Sequence, residues 1–429
     1  MKKYVINTCW VLAEKIIRLS VVFLFFSLVS QKLTIYDFGM FSLSQTIMSL
    51  LIGVVSFGFD NVLIKEFSIS KKTNEIFSTS IFFRFALSLL VISGFSVFLI
   101  YSEYQAIYKY VFIISSLSII FQVQTIYYSY YQAISKSSVI TKTSIIALLI
   151  SSIIKISFIY YELGIFYYAL SFFLDYLFSF LLIYIVSKKE GILLKIKFFD
   201  ILILKNLLKQ SFPIFISTLI VMIYTRIDQF MIAKMLGVEE VAKFNVAVRI
   251  SDAYMFIPMA IAASFFPMVA NNCDKKNIQQ YFHVTHFFTF FSGAFVVCLT
   301  PWMISYFFGE RYYDAIHVIY IIVIANVISS LGTVSSNILI IRNIAYLRVY
   351  RALYGLGINV ILNIIFIPKY GIIGAAYSSL ISQIVAAWIS NLFSKKTRDC
   401  FYFQFFSIVT FGMPCLKGVF KTMKGEAGN

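Results

Sequence analysis

Along this chain, long apolar runs alternate with short polar clusters, and the runs themselves show no strict two-residue alternation. A helix that crosses a bilayer needs about 20 apolar residues, and hydrocarbon offers no partner to a stray backbone group, so such a chain must cross as helices or as a closed barrel. Runs without alternation predict helices. Polar interruptions separate twelve of them: residues 8–30, 39–59, 77–101, 108–132, 140–161, 164–186, 211–234, 242–270, 283–308, 314–340, 346–367 and 371–393. Lys2 and Lys3 ahead of the first run invite comparison with a secretory signal, but Glu14, Lys15 and Arg18 sit too deep in it and no small-residue cleavage site follows. It therefore counts as the first span.

The distribution of lysine and arginine tests that count. Short cytoplasmic loops retain these residues, and of the 36 present, 24 fall on the side of the N-terminus and 6 on the opposite side. A missed or invented helix would invert every later loop and destroy the asymmetry. Both termini are expected in the cytoplasm. The longest loop carries six lysines and divides the spans six and six, giving an N-terminal bundle (1–187), a linker (188–210), a C-terminal bundle (211–394) and a tail (395–429). Because six is even, the halves would form a parallel repeat, and Leu33 to Phe41 aligns without gaps on Leu236 to Phe244. In the tail, the apolar stretch Cys400 to Cys415 is too short to span and is expected to lie on the inner leaflet.

Composition agrees. Hydrophobic residues make up 60% and charged residues 13% of the chain, where a soluble domain carries roughly 25% charge. A mean hydropathy of +0.87 over 429 residues cannot be hidden in one core. The net charge of +17 is accounted for by a basic face beside anionic headgroups, so no nucleic-acid partner is implied. The five cysteines have no paired spacing and are expected to pack as small apolar residues.

The chemistry lies in residues that do not belong in lipid. Ten ionisable side chains fall inside spans: Glu14, Lys15 and Arg18 in the first, Arg84 in the third, Lys155 in the fifth, Asp175 in the sixth, Arg226 and Asp228 in the seventh, Arg249 and Asp252 in the eighth. Unpaired, they would cost roughly 25 to 35 kcal/mol, so they must pair or line a wet cavity. Glu14, Lys15 and Arg18 share one arc of their helix, and Arg249 and Asp252 share a face. Arg226 and Asp228, two apart, diverge around theirs. The excess of cations lies in the first half and suits an anionic ligand such as a phosphate headgroup, which arginine grips with paired hydrogen bonds. Inter-helix ion pairing and snorkelling to headgroups are the bland alternatives. His283 and His286 share a face at the start of the ninth span, where an interfacial role outweighs metal binding because no third ligand is near. Tyr127, Tyr128, Tyr130 and Tyr131 suit an aromatic belt, with sugar stacking as the alternative. Pro213, Pro258, Pro267 and Pro301 are positioned to kink spans. No phosphate-cradling glycine loop, metal spacing or nucleophile motif is present, and the outer loops are short. Transport fits better than catalysis.

With these features assembled, the chain resembles the Wzx-type flippases of bacterial polysaccharide synthesis, in the superfamily (MOP) that also holds MATE-type drug exporters. The resemblance rests on Asp37-Phe38-Gly39-Met40-Phe41-Ser42-Leu43-Ser44-Gln45 after the first span, and on Arg226-Ile227-Asp228 followed by Met235-Leu236-Gly237 and Phe244-Asn245-Val246-Ala247. Phe266-Pro267 and Pro368-Lys369-Tyr370-Gly371-Ile372-Ile373-Gly374-Ala375-Ala376 complete it. It implies two six-helix bundles around a central cavity, in a bacterial inner membrane. The implied cargo is an undecaprenyl-pyrophosphate-linked oligosaccharide, an O-antigen or capsule repeat unit, carried from the cytoplasmic to the periplasmic leaflet. By position, Lys15, Arg18, Arg84, Lys155, Arg226 and Arg249 are the candidate cargo cations. Glu14, Asp175, Asp228 and Asp252 are candidates for ion coupling or structural pairing, with H+ or Na+ as the coupling ion and no other cofactor. Membrane lipids, a polysaccharide polymerase and a chain-length regulator are the expected partners. A drug antiporter, which would want acidic residues for organic cations, and a membrane glycan polymerase or ligase are the competing readings.

Overall fold

The computed structural model describes residues 2–70, 72–191 and 196–414. Lys71, Lys195, the tail beyond Pro414 with Cys415, Lys417, Lys421 and Lys424, and the side chains of Lys2, Lys3 and Cys9 lie outside what is described. The described residues form helices and no strand. Twelve helices correspond to the twelve predicted spans: α1 (Lys2–Lys32), α2 (Ile35–Ile69), α3 (Thr73–Ile100), α4 (Ala106–Ala133), α5 (Ser137–Tyr160), α6 (Ile165–Lys189), α7 (Ile201–Met235), α8 (Val238–Asn271), α9 (Lys275–Phe308), α10 (Asp314–Ile341), and α11 and α12, two spans merged within Leu347–Leu392 (347–370 and 372–392). A shorter helix, α13 (Arg398–Val409), follows in the tail. The protein is thus an all-α, multi-pass membrane protein. Its described residues cluster into two compact units, Met1–Met222 and Ile223–Asn429, dividing within α7.

Local chemistry sets the helix ends. Thr34 caps α2 by accepting the Asp37 N–H at 3.0 Å, and Asp274 caps α9 by accepting that of Asn277 at 2.6 Å. Between α11 and α12, Gly371 adopts a φ of 60°, and at Gly374 a Cβ would stand 2.2 Å from the Phe366 carbonyl oxygen. These two glycines explain the Pro-Lys-Tyr-Gly-Ile-Ile-Gly motif: one permits the left-handed turn, the other lets the returning helix touch the departing one. α7 starts ten residues before the apolar run, because Leu207 is buried in the first unit's core while Lys205 and Lys209 stay exposed. Pro301 lies inside α9 just before a π-helical turn at Ile304–Phe308, consistent with its missing backbone donor.

The interior of the first unit is aromatic. Phe59, Phe67 and Phe77 pack with Tyr127, Tyr131 and Ile183. Tyr127 and Tyr131 are therefore core residues, not members of an outward belt, and the Tyr131 hydroxyl reaches Ser187. Buried serines such as Ser88 and Ser151 return their hydroxyls to the preceding turn, so they add no unsatisfied group and allow close helix packing. Leu90 and Phe98 of α3, Ile153 and Ile156 of α5, Phe291 and Phe295 of α9, and Ile361 and Ile364 of α11 are exposed, an apolar surface that suits hydrocarbon surroundings.

Candidate functional site

In the first unit the intramembrane charges sort into three groups. On α1, Glu14 accepts from Arg18 Nε at 2.7 Å, as their four-residue spacing predicts, and Arg18 keeps 38% of its side chain exposed. Lys15 beside them is exposed. The hydroxyls of Tyr128 and Tyr176 are within electrostatic reach of Arg18.

The second group surrounds Arg84, which is fully buried. Its guanidinium pairs with Asp60 at 3.1 Å, donates to the carbonyls of Ser56 at 3.0 Å and Gln122 at 3.3 Å, and meets the Thr125 hydroxyl. These partners hold the bend of α2, where Phe57 and Gly58 adopt positive φ. The third group is Lys155 with Asp175, a buried ion pair whose ammonium also lies 4.8 Å from the Phe25 ring centre and 5.2 Å from that of Phe172. Arg84 and Lys155, candidates for cargo on sequence grounds, are thus locked against acidic partners within the unit. Asp60 lies past the end of the second predicted apolar run, so sequence reasoning missed it.

The second unit contains a polar cavity of about 250 Å³, edged by Arg226, Asp228, Asp252, Asn326, Asn359 and Ser379 among others. Arg226 approaches Asp252 of α8 at 3.4 Å, and both remain partly exposed. Arg249, half-buried, is on α8 as well. Asp228 takes the other direction, as the divergence of the two side chains predicts. It accepts from Asn363 of α11 at 2.6 Å and from the Ser379 hydroxyl of α12, and is 6% exposed. No cation pairs with Asp228 among the described residues. Asn363 also donates to Asn359 at 3.0 Å, and its own amide oxygen, though buried, has no hydrogen-bond partner.

A bare carboxylate buried at bilayer depth is costly unless a proton or a cation neutralises it. Carboxylate, amide and hydroxyl oxygens form a donor set suited to a proton or a hard cation. The residues that complete this site, Asn359, Asn363 and Ser379, escaped the sequence reading because they are uncharged. Their signal was present, since Asn359 and Asn363 stand four apart in the otherwise apolar stretch 355–368 of α11.

Another buried cation, inside the run 346–367, was counted with the basic residues on the side of the N-terminus and not among the ten intramembrane charges. Arg351 lies inside α11, 8% exposed and without an acidic partner among the described residues, donating to the carbonyls of Ala386 at 2.9 Å and Ala387 at 3.1 Å and to Ser335 at 2.9 Å. It holds the π-helical stretch Ile384–Trp388 of α12, whose displaced carbonyls need a donor. His283 is buried and contacts the Ser407 hydroxyl of α13 at 3.1 Å. No cluster of three metal-ligating side chains occurs among the described residues.

The fold matches solved structures over nearly the whole chain. A lipid II flippase MurJ in an inward closed conformation superposes with a TM-score of 0.75 at 17% identity, covering 96% of this chain and 93% of that one. An inward-facing multidrug resistance MATE transporter of the MOP superfamily gives 0.63 at 15% identity, covering 96% of each. A MOP superfamily transporter from Pyrococcus furiosus gives 0.65 at 13%, covering 90% and 93%. An uncharacterised membrane protein of Methanocaldococcus jannaschii is 25% identical over 182 residues, which span 42% of this chain and 43% of that protein. The MatE family profile matches residues 213–365, the region that carries Asp228, Asn359 and Asn363. The profile described as polysaccharide biosynthesis protein matches residues 5–273, more than half of the chain, and the chain belongs to that family.

Proposed function

We propose that the protein is a flippase that carries an undecaprenyl-pyrophosphate-linked oligosaccharide repeat unit, of O-antigen or capsule, from the cytoplasmic to the periplasmic leaflet of a bacterial inner membrane by alternating access. The observation that carries this reading is the polysaccharide-biosynthesis match across residues 5–273 of a chain that crosses the membrane repeatedly. Moving a charged, hydrated headgroup through hydrocarbon is prohibitive, so a carrier must supply polar surface at bilayer depth while the prenyl tail stays in lipid. Lys15 and Arg18 in the first unit and Arg226 and Arg249 in the second are the cations proposed to supply it, because Arg84 and Lys155 are buried and held by acidic partners. Asp228 is the coupling residue in this proposal. Its oxygens and the orphan oxygen of Asn363 suit H+ or Na+, and among the described residues no cationic side chain pairs with Asp228. A polymerase and a chain-length regulator would receive the translocated unit.

The test is accumulation of lipid-linked intermediate. Cells carrying Arg18→Ala or Arg226→Ala should hold the glycan on the inner leaflet and make little surface polysaccharide; wild-type amounts in both would overturn the cationic-surface reading. The MatE match at residues 213–365 favours a second reading, a drug or cation antiporter using Asp228. Unchanged drug sensitivity on deletion, with polysaccharide lost, separates the two. Product formed in vesicles without any transport step would instead indicate a glycan polymerase or ligase.

A further inference from the structure

The tail helix α13 is built inside out for an aqueous surface. Its inward face carries Cys400, Gln404 and Ser407, each fully buried. Gln404 donates to the Ala387 carbonyl at 2.9 Å and accepts from the Asn391 amide at 2.8 Å, and Ser407 meets His283 at 3.1 Å. Its outward face carries Tyr402, Phe405, Phe406 and Val409, spaced as one helical stripe and 44 to 58% exposed. A helix docked in water turns such a stripe inward and its amide outward. The reverse arrangement calls for an apolar medium against the outward face.

The helix also has a direction. The Phe403 ring centre lies 6.4 Å from that of Phe282, Ser407 is beside His283, and Phe411, just past the helix end, lies 4.9 Å from Phe290. α13 therefore runs along α9 in the same sense, advancing about 12 Å between Phe282 and Phe290, into the apolar run 283–308. Along this path the exposed side chains change in order: Lys395, Lys396 and Arg398 first, then Tyr402, then Phe405, Phe406 and Val409. Lys275 and Lys276 are exposed at the start of α9, at the same end, where Arg342 donates to the Lys396 carbonyl and is within electrostatic reach of Cys273. Lysine ion pairs among the described residues involve Lys32, Lys136, Lys155 and Lys243 and none of these four lysines.

Cation, then tyrosine, then hydrocarbon is the order of layers through one leaflet, from phosphate to acyl chain. A second copy of the chain packed face to face on this stripe would bring two groups of five cations together, and their repulsion opposes it. Anionic headgroups supply the opposite charge.

We propose that α13 is embedded in the leaflet on the lysine-rich side, with anionic phospholipid headgroups held by Lys275, Lys276, Lys395, Lys396 and Arg398 and acyl chains covering Tyr402, Phe405, Phe406 and Val409. The experiment uses the full chain in vesicles of phosphatidylcholine and phosphatidylglycerol. Tyr402→Trp, Phe406→Trp and Val409→Trp are each made in a Trp10→Phe, Trp302→Phe, Trp388→Phe background, which removes the three natural indoles. Lipids brominated on the acyl chain should quench all three variants, least for Tyr402→Trp and most for Val409→Trp, and aqueous iodide should follow the reverse order. At equal mole fraction, brominated phosphatidylglycerol should quench Phe406→Trp more than brominated phosphatidylcholine does. Adding Lys396→Gln should lower that relative affinity about fivefold, equivalent to about 1 kcal/mol, and high salt should lower it too. Equal iodide quenching at the three positions would mean that the stripe faces water, and quenching by neither agent would mean that protein covers it. Either result overturns the proposal, as does equal quenching by the two lipids. No lipid-linked glycan is present in the vesicles, so the result is independent of the proposed cargo.

Discussion

Asp228 shows how a single side chain changes meaning once its neighbours are known. In sequence it was one of four acidic candidates, equal to Glu14, Asp175 and Asp252. In the structure Glu14, Asp175 and Asp252 each face a cation, and Asp228 faces two amides and a hydroxyl instead. Charge alone is visible in a sequence; the partner that neutralises it sits on another helix and is not. Replacing Asn363 by leucine, of similar size, removes one hydrogen bond to the carboxylate and one amide oxygen. Apparent affinity for the proposed coupling cation should fall by about tenfold or more, matching the ~1.5 to 3 kcal/mol of a charge-assisted hydrogen bond. Gradient-driven transport measured against sodium concentration and against pH reads this directly. Equal loss at every cation concentration would mean that Asn363 serves only the fold. Asp228→Asn should leave no dependence on either gradient.

At the scale of elements, apolar patterning was enough to find every span, because the cost of exposing backbone in lipid leaves the chain little choice. It could not find the devices that shape the spans. The α2 bend depends on Arg84, whose contacts with Ser56, Asp60 and Gln122 come from residues 24 to 38 positions away. Arg84→Met leaves the carbonyls of Ser56 and Gln122 without their donor, which should cost about 1 to 3 kcal/mol and lower the unfolding temperature in detergent. Arg84→Lys, with a single point of attachment, should rescue little. A phosphate-binding role would predict the opposite: stability unchanged, and transport retained by lysine.

The tail helix gives a second element-scale test. Arg342 grips the Asp399 carboxylate with both of its terminal nitrogens and donates to the Lys396 carbonyl at 2.8 Å. Burial by itself would raise the Asp399 pKa, but the hydrogen bonds and charge of Arg342 outweigh it and hold the carboxyl below its ordinary value. Since the folded pKa is the lower one, this contribution to docking is complete above the unfolded value, ~3.9, and is lost as pH falls below it through the folded value. Trp388 stacks on Phe401 with ring centres 5.5 Å apart, so in a Trp10→Phe, Trp302→Phe background its fluorescence reports whether α13 is seated. The signal should stay flat from neutral pH to about 4 and change only in stronger acid. In Arg342→Ala it should be altered already at neutral pH. The same variant should expose Cys400, now buried with its thiol pushed up to about 12 chiefly by desolvation, to maleimide.

For the molecule as a whole, the strongest sequence signal was the placement of lysine and arginine, and ion pairs within each unit agree with the loop sides it implies. Lys32, the last residue of α1, reaches Glu162 between α5 and α6, while Lys136, between α4 and α5, reaches Glu190 after α6. In the second unit Lys243, near the start of α8, reaches Asp314 at the start of α10, and Arg342, after α10, reaches Asp399. Each pair joins segments assigned to the same side. Aligned positions of the internal repeat also behave alike, with Phe38 and Phe41 buried in one junction and Val241 and Phe244 in the other. The positive-inside rule then predicts the lysine-rich side to be cytoplasmic. A reporter enzyme active only outside the cytoplasm, fused after Glu103, Glu162 or Glu310, should be active; fused after Ser135, Glu190, Asn272 or Asn343 it should be silent. Reversal of all seven would overturn the direction of transport proposed here, because the cargo is loaded from the lysine-rich side. Agreement up to Glu190 followed by reversal would mean that α7 does not cross, and the parallel relation of the two halves would fall with it.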